Sequence, residues 1–64
     1  MKMRNKLKQL RREKGLRQED LADAVDVSRQ TIIAIENGRF NPSLELALKI
    51  CQFLGKAVEE VFFL

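Results

Sequence analysis

The chain has 64 residues, 12 Lys and Arg against 9 Asp and Glu, 45% hydrophobic residues, one Cys and no His. That length holds one small domain with a thin core, the apolar content argues against disorder, and no apolar run approaches the roughly 20 residues of a membrane span. A single Cys excludes an intrachain disulfide and gives no metal constellation, and no His is present to activate it as a nucleophile; no catalytic residue, metal or cofactor is expected.

The charge is unevenly spread. Residues 1–17 carry eight basic residues (Lys2, Arg4, Lys6, Lys8, Arg11, Arg12, Lys14, Arg17) and one acid, Glu13, for a net +7; residues 18–64 carry four basic and eight acidic residues, for a net −4. A basic front end is the footprint of a polyanion partner or a solvated helix face. No apolar stretch follows the basic N-terminus, so a signal peptide is not expected and a reduced cytoplasmic setting is.

In chain order, the first predicted helix runs from Lys6 to Lys14. Leu7 and Leu10 recur at helical spacing, Met3 lies one turn earlier, and Gly15 is the stop. A second helix is predicted from about Gln18 to Val25, with Leu21, Ala22 and Val25 on one face and Glu19 and Asp20 at the positive dipole end. Arg17 falls at its N-cap, where a side-chain oxygen normally accepts a backbone N–H; Arg cannot accept, so this start is weak, and a phosphate contact is an alternative reason for Arg17. Asp26 takes the left-handed position that ends the helix, and Val27 points inward.

Ser28 then caps a third helix from about Arg29 to Asn37, with Ile32 and Ile35 facing the core and Gly38 closing it. Asn41-Pro42-Ser43 is a turn, and Ser43 caps a fourth helix over about Leu44 to Leu54. Its apolar positions Leu44, Ala47, Leu48, Ile50, Cys51 and Leu54 exceed one stripe, which predicts a central helix buried on most sides. Cys51 reads as a small core residue. A short fifth helix, about Val58 to Phe62, puts Val58, Val61 and Phe62 on one side. Val61, Phe62, Phe63 and Leu64 are more than so small a domain buries within itself; the expectation is a twofold dimer interface, against a reading in which one Phe fills the monomer core and the rest frays.

Two short helices joined by a three-residue turn over QEDLADAVDVSRQTIIAIEN, flanked by LRREKGLRQEDLA and VSRQTIIAIENGRFNPSLELALKI, resemble the phage-repressor helix-turn-helix of the Cro/C1 or XRE family. The resemblance covers about Leu7 to Phe62. Asp26 departs from the family's usual Gly, and Arg17 from its usual Ser or Thr. It implies an all-α, compact five-helix bundle of the lambda-repressor-like type: one DNA-binding domain over residues 1–64, with a C-terminal dimerisation helix.

By the same resemblance, Arg29, Gln30 and Thr31 reach base edges, and Ile33 and Ala34 are the next exposed positions. Gln18 grips a phosphate, joined by Asn37 and Arg39, and Arg11 and Glu36 match a buried ion pair tying the first helix to the third; Arg17, in place of a capping residue, and the Ser28 hydroxyl are further phosphate candidates on their own chemistry. These residue types suit the roles: Gln pairs with adenine, Arg with guanine, and Ile covers a thymine methyl. Each also has a plain reading, Ile33 as packing, Arg39 as a loop charge and Arg11–Glu36 as an exposed pair of little worth.

The implied function is sequence-specific binding of double-stranded DNA as a homodimer on a palindromic operator, most simply as a repressor, in the cytoplasm and associated with the nucleoid. The same fold serves antitoxins and other protein-interaction modules, which is the second reading. An enzyme finds no support in the sequence.

Overall fold

The computed structural model describes residues 3–64. Seven elements follow in order: β1 (Arg4–Asn5), α1 (Leu7–Glu13), α2 (Gln18–Ala24), α3 (Arg29–Glu36), α4 (Leu44–Leu54), α5 (Val58–Val61) and β2 (Phe62–Phe63). The five helices of the sequence reading are all present. The short strands were not anticipated.

The ends of the helices explain most of the chain's turns. Ser28 and Ser43 each accept an N–H from the third residue on, Thr31 and Leu46, both at 3.2 Å. Such caps satisfy donors that a helix start leaves without a partner. At the other ends, α1, α2, α3 and α4 close in the same way. The residue after the cap is left-handed (in α4 it is the cap itself, Gly55), and the next N–H reaches back to a carbonyl in the last turn: Leu16 to Arg11, Val27 to Ala22, Arg39 to Ala34 and Lys56 to Cys51. Glycine fills the left-handed position three times, and Asp26, at φ 61°, fills it once.

The core is built from every helix. Leu7, Leu21, Ile32, Ile35, Ile50, Leu54 and Val61 are completely enclosed. Ala22 is small enough to let α2 and α3 approach closely, and Cys51 is buried beside them, as expected of a small apolar residue. Burial raises the Cys51 thiol above its ordinary pKa, with a smaller push from Glu59. The thiol is therefore protonated and inert in the folded chain.

Three expectations change. Residues near Met3 do not continue α1: Arg4 and Asn5 are extended and pair antiparallel with Phe63 and Phe62. Asn5 fixes that start twice, accepting from the Leu7 N–H (3.1 Å) and donating to the Ile35 carbonyl (2.9 Å). Lys6 continues the join by donating to the Val61 carbonyl at 2.9 Å.

The fifth helix stops at Val61, because Phe62 (φ −120°, ψ 136°) already belongs to β2. Val61 and Phe62 are thereby core residues of the monomer (0% and 6% exposed); of the four residues expected at an interface, Phe63, half-buried, and Leu64, 71% exposed, have open surface. The fourth helix is also less enclosed than its apolar width suggests. Leu44 is 72% exposed and Leu48 42%. The core covers the arc of Ala47, Ile50, Cys51 and Leu54 and leaves the flank one turn apart at 44 and 48 in solvent. Among the described residues no helix is long and apolar enough to cross a membrane.

Candidate nucleic-acid interface

The site is built on the pair α2 and α3. Leu21, Ala22, Val25, Ile32 and Ile35 are buried between them and the rest of the core. A helix that commits Ile32 and Ile35 inward must present the intervening positions outward. Arg29 and Gln30, at the start of α3, are exposed; Thr31, Ile33 and Ala34 are partly so. All five expected base-reading positions thus have open surface. Thr31 is the most constrained, since its hydroxyl lies 3.0 Å from that of Ser28. Ser28 is itself occupied as the cap, so any phosphate it meets must share that hydroxyl.

Behind this face lies a polar network. Arg11 forms a two-pronged pair with Glu36 (2.7 and 3.1 Å) and donates a third bond to the Leu16 carbonyl at 2.8 Å. The two side chains are 7% and 1% exposed. The pair is therefore buried, and the reading as a weak surface pair is set aside. Gln18 completes it, its amide donating to the same Glu36 carboxylate at 3.1 Å. Such a network is safe only when every member is satisfied. Among the described residues no buried polar side-chain atom lacks a partner.

Sequence reasoning placed Gln18 at the surface and missed its link to Glu36. It also missed Asn5, although an Asn just before a helix start is a recognisable capping signal. The expected phosphate-contact residues lie at the ends of α2 and α3 or just beyond them. Asn37 caps α3 and Arg39 follows the Gly38 turn; both are exposed. Arg17, at the start of α2, is turned back on its own helix. Its guanidinium pairs with Asp20 and Glu19, each at 3.1 Å, and its backbone N–H donates to Asp20 at 2.8 Å. The missing cap acceptor at Arg17 is thus partly offset by the reciprocal half of a capping box.

Two short packed helices, a tight turn closed by a left-handed residue, and a second helix whose first residues face solvent define a helix-turn-helix DNA-binding domain. The chain belongs to the helix-turn-helix family of the Cro/C1, XRE type, whose profile matches residues 7–61. It is 57% identical over 60 residues to an uncharacterized HTH-type transcriptional regulator of Methanocaldococcus jannaschii, covering 94% of this chain and 91% of that one. It is 52% identical over 62 residues to the uncharacterized HTH-type transcriptional regulator YgzD of Bacillus subtilis, covering 97% and 94%. The fold is also that of the restriction-modification controller protein C.AhdI from Aeromonas hydrophila, with a TM-score of 0.79, 37% identity and coverage of 84% and 82%. The chain is a transcriptional regulator with a helix-turn-helix DNA-binding fold.

Proposed function

We propose that this regulator is a repressor that occupies a palindromic operator as a homodimer. Residues 1–64 act as one DNA-binding unit, α3 lies in the major groove, and Arg29, Gln30, Thr31, Ile33 and Ala34 meet base edges. Arg17, Gln18, Ser28, Asn37 and Arg39 hold the flanking phosphates. The observation that carries this reading is the open face at the start of α3, where Arg29 and Gln30 make no contact that the fold requires. Gln paired with adenine and Arg with guanine each discriminate by about 1–3 kcal/mol.

Size supports the dimer. The longest dimension of the domain is 29 Å, whereas successive major grooves on one DNA face are about 34–36 Å apart. One copy therefore reaches one half-site, and reading two requires two copies. The exposed large apolar residues, Phe40, Leu44, Leu48, Phe53 and Leu64, supply more apolar surface than a monomer has use for.

Selection of bound duplexes from a random pool tests the reading. The expected result is an enriched inverted repeat with half-site centres roughly 10 bp apart. Gln30→Ala should relax the preference at one position of each half-site while leaving binding to unrelated duplex intact. A pool that shows no enrichment overturns the proposal.

A further inference from the structure

Where α1, the start of α2 and the start of α3 meet, the surface forms a hollow of about 500 Å³. That volume is within the range of small-molecule sites, but such sites are mostly apolar-lined. This one is not. Its walls are Lys8, Arg11, Arg12, Arg17, Arg29, Glu19 and Gln18. Five cations against one carboxylate select an anion.

Two of those cations are already committed, Arg11 to Glu36 and Arg17 to Glu19 and Asp20. Lys8, Arg12 and Arg29 have no ion-pair partner among the described residues. Lys8 and Arg12 are also four apart on one helix, which places like charges side by side at a cost in stability. Both are exposed and both line a second hollow along the other flank of α1, so they stand as a ridge between the two. Among the described residues no ion pair or side-chain hydrogen bond compensates for that arrangement.

We infer that Lys8 and Arg12 form a second phosphate site, on α1, that grips the DNA backbone beside the bases read by α3. The inference rests on the DNA-binding reading above and extends it to a helix outside the α2–α3 pair. The ligand chemistry is a phosphate oxyanion. A phosphate of the duplex is favoured over a small free anion because Gln18 and Arg29 line the same hollow and belong to the face that meets the duplex. An anion held there is already beside the recognition helix.

The test uses the full chain and a duplex recovered by selection, with affinity measured between 50 and 200 mM salt. Removing one cation that neutralises a phosphate should lower the slope of log K against log salt by about 0.9. The double variant Lys8→Ala/Arg12→Ala should therefore show a salt-induced loss of affinity roughly tenfold smaller than that of the unaltered chain over this range. Its ranking of base substitutions should be unchanged, because phosphate contacts carry no sequence information. Lys56→Ala, which removes a cation that lines neither hollow, should leave the slope in place. A slope equally reduced by Lys56→Ala makes the effect one of net charge and overturns the site. So does an unchanged slope in the double variant while Gln30→Ala still relaxes base preference; in that case the DNA-binding reading survives. Displacement of the duplex by millimolar inorganic phosphate at constant ionic strength, abolished in the double variant, would reassign the site to a free anion. Absence of any selective binding by the unaltered chain overturns both readings together.

Discussion

Asp26 holds a left-handed backbone, φ 61°, at the turn between the two central helices. An L-residue with a Cβ is disfavoured there by roughly 1–2 kcal/mol, somewhat less for Asp, and Gly escapes that cost at the expense of a more flexible unfolded chain. Asp26→Gly should therefore raise stability by about 0.5–1 kcal/mol, which is a few degrees of melting temperature in a domain this size. Thermal unfolding followed by circular dichroism measures it, and a lower melting temperature would count against the turn geometry.

Arg17 and Asp20 allow two further expectations. The Arg17 side chain, and then its backbone N–H, hold the Asp20 carboxyl below the usual carboxylate range. A group depressed on folding stabilises the fold above its unfolded value, near 3.9, and that contribution vanishes as pH falls through the folded value. Asp20→Asn should lower melting temperature at pH 6, and the gap should close towards pH 2; a gap independent of pH would rule out the ionised cap. Arg17→Ser replaces an exposed ion pair, which contributes little, with a hydroxyl that can accept from the Asp20 N–H and complete the capping box, which contributes more. That variant should melt higher yet bind DNA more weakly, and unchanged binding would remove Arg17 from the phosphate contacts.

At the scale of elements, the decisive tie is Arg11–Glu36 with Gln18. It joins α1, α2 and α3 through one buried carboxylate. Taking away one partner strands a buried charge at a cost of about 3–5 kcal/mol. Total stability in proteins is only about 5–15 kcal/mol, and a 64-residue chain belongs near the lower end. Glu36→Ala should therefore leave the domain largely unfolded in moderate urea. Arg11→Met combined with Glu36→Leu should recover most of the loss, since apolar replacement of a whole buried pair is often neutral. A single variant as stable as the unaltered chain would contradict the burial described above. Residues 25 apart leave no mark of pairing in periodicity or composition; this pair was legible only through the resemblance. The caps at Ser28 and Ser43 were legible directly, because capping is local chemistry.

For the whole molecule, the joined termini matter most. β1 and β2 bring Arg4 beside Phe63, with the guanidinium carbon 5.4 Å from the ring centroid. The pairing draws Val61 and Phe62 into the core. Phe62→Ala should therefore cost about 3–5 kcal/mol of folding stability, as a core truncation does. Leu64→Lys should leave unfolding by urea unchanged and weaken self-association in sedimentation equilibrium. Should Leu64→Lys associate normally while Leu44→Lys becomes monomeric, the twofold surface lies on α4 instead.

The positions of α1 to α4, the caps at Ser28 and Ser43 and the inward set from Leu21 to Ile35 were settled by the sequence, because each depends on residues within one or two turns of one another. Only the tertiary structure decided which apolar residues the core encloses, where the chain ends meet, and that Lys8, Arg12 and Arg29 share one hollow. Those are matters of how elements distant in sequence pack together. Hydrophobic periodicity marks a face as apolar, but it carries no information on whether that face meets the chain's own core or the solvent.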